Sequence, residues 1–447
     1  MTQLYAEART PNSVLFPWDE GWDDARLAWN LAVDQQPEAV AVPQTVEDVV
    51  GVVRWAAAEG YQITAQGTGH NAAALGDLAG TVLVKLHELR SVSVDAERRV
   101  ARVAAGTIWI ELVEAAAEHG LAALSGSSPD VGVVGYALGG GLSFMGRKHG
   151  LMTNHVTAIE VVTADGEWRR VDAENDPDLF WALRGGGGSF GVVTAVEVAL
   201  LPIELVYAGH LWFPVDRAAE VLRAWRDWTE TVPEEVTSIG RILQFPPIPE
   251  IPEPMRGNSF AVVQAIYCGD DPAEMDALLE PLRALGPAMD TFRVMSMPEL
   301  SHLHMDPEHP VPGTGDGGML DLITDETIDV IVEEVVGKPI LNTEIRHYGG
   351  AVARPRPEHG AVSAFPAPYI MFAVGIAPTA ELKAIVHASV AGLMTALEPW
   401  QSSHTYLNFA ESRRDAKTLW PETVHARLKR IKKSVDPDDV IRSNHPL

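Results

Sequence analysis

A single cysteine, Cys268, in 447 residues excludes an internal disulfide and a multi-cysteine metal centre. It follows the apolar run Val262 to Tyr267 and reads as a small core residue. Basic residues are also scarce: 34 Lys and Arg face 61 Asp and Glu, giving a formal charge of −27 and a pI near 4.9. A field of that sign repels nucleic acid and anionic membrane surfaces, so neither is expected as a partner. No run of about 18 apolar residues is present to span a bilayer. Met1 to Asp19 carries Glu7, Arg9 and two prolines but no apolar stretch of a secretory signal, so a cytoplasmic location is the expectation. With 46% hydrophobic residues, the chain has material for two or three domains, each with its own core.

Glycine is what the chain has in informative places. The stretch Gln66-Gly-Thr-Gly-His-Asn71 ends an apolar run, Tyr61 to Ala65, that reads as a strand. Glycines let backbone N–H groups approach a diphosphate, and a histidine beside them adds a reactive side chain to the cradle. The stretch Gly126 to Gly141 reads as its other wall. Gly67-x-Gly69-x-x-Ala72 also matches the loose dinucleotide fingerprint, but that fold needs a crossover helix of about ten residues. Gly76 and Gly80 interrupt the connection, and the next strand, Thr81 to Leu86, follows at once. An NAD-binding reductase is therefore disfavoured.

The rest reads as an α+β chain. Thr45 can cap a helix that Gly60 stops, with Glu47 and Asp48 in its first turn. Short strands are expected at Ser91 to Val94, Val100 to Val103 and Ala158 to Thr163, helices at Ile108 to His119 and Tyr136 to Gly146. Asp176 can cap Pro177 to Leu183, and Phe190 to Leu200 reads as a buried strand. Beyond Leu205, helical segments (Asp216 to Trp228, Ala273 to Leu285) alternate with strands (Ser259 to Tyr267, Tyr369 to Ile376), the pattern of a sheet covered by helices. Phe245 to Pro254 is proline-rich and reads as a loop, and Pro421 to Lys433 as a helix.

Taken in order, Gln66-Gly-Thr-Gly-His70, Ser128-Pro-Asp-Val-Gly-Val133, Leu138-Gly-Gly-Gly141, Arg147-Lys-His-Gly-Leu151, Asp178-Leu-Phe-Trp-Ala-Leu-Arg-Gly-Gly186, Phe190-Gly-Val192, Tyr406-Leu-Asn408 and Asp436-Pro437 resemble the berberine-bridge-enzyme-like flavoprotein oxidases of the vanillyl-alcohol oxidase superfamily. The resemblance implies a PCMH-type FAD-binding domain at 36–204. It also implies a substrate domain at 205–400, an antiparallel sheet covered by helices, and a segment at 401–447 that returns to the FAD domain. It implies FAD bonded covalently through His70, with no second link, because Ser128 stands where many relatives carry cysteine. The cofactor-binding residues it implies are Gln66, Gly67, Thr68, Gly69, His70 and Asn71 on one side and Gly126, Ser127, Ser128, Val131, Gly132 and Tyr136 on the other. Gly140, Gly141, Gly191, Val192, Tyr406 and Asn408 complete them. The small side chain of Val131, at the position that screens the flavin from oxygen, is similar to oxidases.

The implied activity is hydride transfer from a C–H bond next to oxygen or nitrogen of a small molecule, with dioxygen as acceptor and hydrogen peroxide as product. The usual base is missing: Tyr406-Leu-Asn-Phe409 ends in phenylalanine where relatives place tyrosine, and Phe372 stands where berberine bridge enzyme has glutamate. Tyr406, Glu411 and Tyr348 are the candidate replacements. Glu344, Arg346 and Tyr348 alternate and share one sheet face, while His347 points to the other. An amine substrate, which needs less help from a base, is the alternative, as is a flavin-binding protein with little turnover. His302, His304 and His309 lie in a proline-broken segment and read as a loop near the domain junction, so no metal site is expected. Oligomeric state is open.

Overall fold

The computed structural model describes residues 10–447, so the part of the N-terminal reading that falls on Met1 to Arg9 lies outside the described residues. The chain first builds two small sheets. In one, Val14–Leu15, Ala39–Ala41, Thr81–Lys85 and Gln62–Gln66 lie side by side, the last three parallel. The other is antiparallel, in the order Val92–Asp95, Val100–Ala104, Val192–Ala199, Val156–Val162, Trp168–Asp172. Val46–Glu59 covers the first sheet as a helix. Its capping box is formed as the sequence predicts: the Asp48 amide donates to Thr45 Oγ1 at 3.1 Å and the Thr45 amide to Asp48 Oδ2 at 2.9 Å. Such a cap contributes about 1 kcal/mol.

The parallel strands Gln62–Gln66 and Thr81–Lys85 are joined without a crossover helix. Only a 3-10 turn, Ala72–Leu75, fits before Gly76 and Gly80, both at positive φ. That leaves the loop after Gln66 free to line a cavity.

From Leu205 onward the strands form one eight-stranded antiparallel sheet. Its main path runs Met289–Asp290, Leu205–Pro214, Ser259–Tyr267, Val236–Gln244, Asn342–His347, Tyr369–Ile376, Gly313–Leu320, and Arg293–Ser296 pairs with Leu205–Pro214. Alternation divides its residues between two faces. Leu211, Val263, Ile242, Ile345 and Met371 pack under the helices Ala218–Thr229, Pro272–Arg283, Asp325–Val335 and Ala380–Ala396. On the other face Arg241, Glu344, Phe372 and Gly317 stand in one cross-strand row. That row looks onto the part of the chain that holds the two small sheets.

One expected element differs. Tyr136 to Gly146 is not a single helix: a helix ends at Leu138, Gly140 (φ +118°) and Gly141 (φ +75°) turn the chain, and a short helix resumes at Gly146–His149. Two adjacent glycines at positive φ break the expected helix. Phe245 to Pro254 has neither helix nor strand, Cys268 is buried, and among the described residues no helix is long and apolar enough to cross a membrane.

Candidate active site

A cavity of about 660 Å³ lies between the small sheets and the open face of the large one, within the range of about 300–1,000 Å³ usual for ligand sites. Gln66 to Ala72 form one wall, and Gly126 to Ser128 with Val131, Gly132 and Val134 to Tyr136 another. The row Arg241, Glu344, Phe372 with Asn342 and Arg346 roofs it, and Tyr406 to Phe409 with Glu411 close one side.

The turn that carries His70 depends on Gly69. Its φ is +92°, and a Cβ there would fall 2.7 Å from Gln66 Nε2 and 3.0 Å from Ala28. This close approach brings Trp29 over His70, its amide donating to the Thr68 carbonyl at 3.0 Å and its ring stacked on the imidazole with centroids 3.9 Å apart. His70 Nε2 lies 3.3 Å from Asp130 Oδ1. Asp130 also accepts from Ser128 Oγ at 2.9 Å and from Trp29 Nε1. Burial pushes the Asp130 carboxyl up, but the hydrogen bonds and charge of His70, with Ser128 and Trp29, outweigh it and hold it below the usual range.

Whether FAD fits can be read from what the walls leave open. Gly135 and Gly188 line the cavity, and a Cβ on either would meet no protein atom within 4 Å. Gln66 Nε2 and the Tyr136 hydroxyl are buried on the wall without a partner among the described residues. Buried polar groups are rarely left so. Open glycine backbone and unsatisfied donors on a large, mostly apolar cavity suit a flat, polar-edged ring system with a diphosphate tail, and the residues present fit the cofactor.

At the side wall, the Tyr406 hydroxyl accepts from the Leu142 amide at 3.1 Å and from Asn408 Nδ2 at 2.8 Å. Burial raises its phenol above the ordinary value. Glu411 differs: burial, then repulsion from Asp316, pushes its carboxyl up to about 8, although Asn71 hydrogen-bonds it. Phe372 and Phe409 pack together with ring centroids 4.9 Å apart. Behind them Glu344 is ion-paired twice, Oε1 to Arg346 Nη2 at 2.7 Å and Oε2 to His304 Nε2 at 2.6 Å. Burial alone would raise the Glu344 carboxyl; Arg346 and His304 hold it well below the usual range.

Most of the expected site residues meet at this cavity. Four do not line it. Tyr348 follows the strand end and is buried against Gly146, 3.3 Å from where a Cβ on that glycine would lie. Alternation explains Val192, which turns away while Val193 faces the cavity. Gly141 sits behind Tyr136, whose Cε1 is 2.5 Å from an added Cβ, and Gly140 lies beside it; Gly139 reaches the cavity instead. Trp29, Asp130, Arg241 and the tail residues Arg442 to Asn444 line or brace the site without having been singled out. A lone arginine inside the apolar strand Val236–Gln244 was the available signal for Arg241. His304, expected in a junction loop, is in the cavity wall; among the described residues no group of His, Cys, Asp or Glu could hold a metal ion.

Comparison with known proteins adds the following. Residues 37–172 match the family model of an FAD binding domain. Over 319 residues the chain is 32% identical to (R)-6-hydroxynicotine oxidase of Paenarthrobacter nicotinovorans, covering 70% of this chain and 66%, just under two thirds, of that one. It is 27% identical to an FAD-linked oxidoreductase of Bacillus subtilis (strain 168) over 96% of both chains. It is 36% identical to glucooligosaccharide oxidase of Sarocladium strictum over 49% of this chain and 45% of that one. Among solved structures, 6-hydroxy-D-nicotine oxidase from Arthrobacter nicotinovorans superposes with a TM-score of 0.83 at 24% identity, covering 98% of each chain. The BBE-like 1 protein of Physcomitrella patens gives 0.84 at 20%, covering 99% of this chain and 98% of that one. These last two likenesses speak for the fold.

Proposed function

We propose that this chain, an FAD-linked oxidoreductase by its family match and relatives, is a berberine-bridge-enzyme-like oxidase of a small molecule, with FAD held covalently by His70 and dioxygen as the acceptor. The observation that carries the reading is the single cavity that joins the His70 turn to the open face of the large sheet. When bound, FAD supplies a two-electron acceptor for hydride from a C–H bond next to oxygen or nitrogen, and returns the electrons to dioxygen as hydrogen peroxide.

The residues around it have separable tasks. Asp130, 3.3 Å from Nε2, and the stacked Trp29 fix the plane of the His70 imidazole on the cavity wall and leave Nδ1 as the nucleophile for the covalent link. Tyr136, with a hydroxyl that no protein group satisfies, can donate to a ring edge carrying negative charge. Glu411 is the group best placed to take a proton from a substrate hydroxyl, because a carboxyl pushed up to about 8 is matched to neutral pH. Tyr406, whose hydroxyl accepts two hydrogen bonds, has its own proton to donate and orients substrate. Glu344 is held ionised by Arg346 and is too weak a base for the task. Val131, on the cavity wall, leaves room for oxygen to approach.

An amine substrate is the second reading. The packed pair Phe372 and Phe409 makes part of the roof apolar, and a neutral amine needs little proton removal. Anaerobic mixing with alcohols, sugars and cyclic amines, followed by admission of air and assay for hydrogen peroxide, tests both. Bleaching by some substrate with peroxide on re-oxidation is expected; bleaching without peroxide would make the chain a dehydrogenase.

A further inference from the structure

Arg241 is a buried cation with no carboxylate of its own. It is 3% exposed and lines the cavity roof, yet among the described residues no carboxylate oxygen lies within 4.0 Å of its guanidinium. Its hydrogen bonds go to neutral acceptors: Nε donates to Asn342 Oδ1 at 3.3 Å, and Nη1 donates to Gln264 Oε1 at 3.3 Å and the His304 carbonyl at 2.9 Å. Nη2 makes no hydrogen bond to any described residue. A charge taken out of water is costly unless paired, so this arginine lacks its counter-charge.

The neighbouring charges do not supply it. Glu344, directly across the strand from Arg241, spends one oxygen on Arg346 and the other on His304. At 2.6 Å, a proton lies between His304 Nε2 and Glu344 Oε2, because two lone pairs would repel at that distance, so both Glu344 oxygens are engaged. His304 Nδ1 donates to Gln264 Oε1 at 2.8 Å. Asp306 is the remaining carboxylate, partly exposed and 3.4 Å from Ser127 Oγ, which in turn accepts from Arg346 Nη2 at 2.9 Å. Neither carboxylate lies within ion-pair distance of Arg241, whose guanidinium keeps one edge unpaired toward the cavity.

We propose that Arg241 binds a carboxylate carried by the substrate, with Nη2 as the donor held ready for it. The inference deepens the oxidase reading and rests on it: the substrate is an acid whose oxidisable carbon lies on the side of Tyr406 and Glu411, while its carboxylate is clamped at the roof. Asn342 and Gln264 position the guanidinium and leave its outer edge free.

Matched acid and amide pairs test it on the flavin-loaded protein: benzoate with benzamide, mandelate with mandelamide, and D-glucuronate with D-glucuronamide. Binding is read from the shift in flavin absorbance and in melting temperature, at fixed ionic strength, with no turnover required. At least one acid is expected to bind about ten- to hundredfold more tightly than its amide, the range of one charge-assisted hydrogen bond in a buried site. Arg241→Met abolishes that preference. Arg241→Lys, which keeps the charge without the fork, retains part of it and serves if the methionine variant does not fold. Equal binding of acids and amides, absence of saturable binding by every acid, or a preference that survives Arg241→Met would overturn the proposal. Acid binding with no substrate able to bleach the flavin would remove the oxidase reading and leave the anion site standing. Turnover of neutral compounds by a protein indifferent to every acid would do the reverse.

Discussion

Glu411 joins burial, charge and chemistry in one side chain. Its carboxyl is raised from 4.5 to about 8, chiefly by burial and then by Asp316. A group raised in this way favours the protonated fold, so its contribution to stability is fully present below about 4.5 and is lost as pH rises through about 8. Catalysis runs the other way, since a base must be ionised. The rate of anaerobic flavin bleaching is expected to rise about tenfold per pH unit up to about 8 and then level. In Glu411→Gln that limb disappears and the rate falls by about 100-fold or more; a rapid-mixing pH profile checks both. His70 gives a second expectation: His70→Ala retains at most dissociable FAD, so acid precipitation leaves the pellet colourless and the supernatant yellow. His70 and Glu411 were legible because each sits in or beside a stretch whose residue order is distinctive. Asp130 and Trp29 were not: one carboxylate within Ser128-Pro-Asp-Val-Gly and one tryptophan ahead of the first long helix acquire meaning only when the Gly69 turn sets the imidazole against the Trp29 ring and beside the Asp130 carboxylate.

Between elements, the cavity is set by where side chains are absent. A Cβ on Gly139 would fall 1.8 Å from Asn408 Oδ1. Asn408 cannot retreat without losing its bonds to the Tyr136 carbonyl (3.0 Å) and the Tyr406 hydroxyl (2.8 Å). Gly139→Ala is therefore expected to cost about 1–3 kcal/mol, the scale of overpacking, seen as a lower melting temperature. Gly135→Ala separates stability from cofactor room. It lies in the helix Val133–Leu138 with no protein atom near its Cβ, so alanine gains helix propensity of about 0.5–1 kcal/mol but intrudes on the cavity. Its melting temperature should hold or rise in the apoprotein while the flavin-to-protein absorbance ratio falls. Strands with strict alternation and helices with a cap and a closing glycine were readable, because local chemistry alone fixes Thr45 and Gly60. The stretch from Tyr136 to Gly146 was not, because the turn at Gly140 and Gly141 is set by tertiary packing, with Gly141 pressed against Tyr136 and Met152. The same limit applies to the roof: alternation along Asn342–His347 put Glu344 and Arg346 on one face, but their pairing with Arg241, His304 and Phe372 is a matter of sheet order.

On the scale of the whole molecule, the chain's end returns to its beginning, and the cavity depends on that closure. After the helix Glu422–Val435, Asp436 accepts from the Val440 and Ile441 amides at 2.8 Å each and from Lys432 Nζ. This fold-back bridges Ile441 to Ile63, on the strand that leads into the His70 turn. Arg442 then donates to the Leu75 carbonyl at 2.7 Å, and Asn444 to Asn71 Oδ1 at 2.5 Å. Asn71 in turn reaches the Ala410 carbonyl at 3.0 Å, next to Glu411. The tail thus holds the histidine turn and the proposed base in one hydrogen-bonded frame. Asp436→Ala leaves the Val440 and Ile441 amides without their acceptor and removes one of the partners of the Lys432 ammonium, which keeps the Ile441 carbonyl and Asp439, a loss of about 1.5–3 kcal/mol for a charged acceptor. The consequence is local before it is global: residues 437–447 should become sensitive to limited proteolysis and the amide of Ile63, which donates to the Val440 carbonyl at 2.7 Å, should exchange faster. The fraction of acid-stable flavin should fall with them. Unchanged exchange at Ile63 together with undiminished acid-stable flavin would show that the His70 turn holds its shape without the tail, and that the frame begins at Gln66 rather than at Asp436.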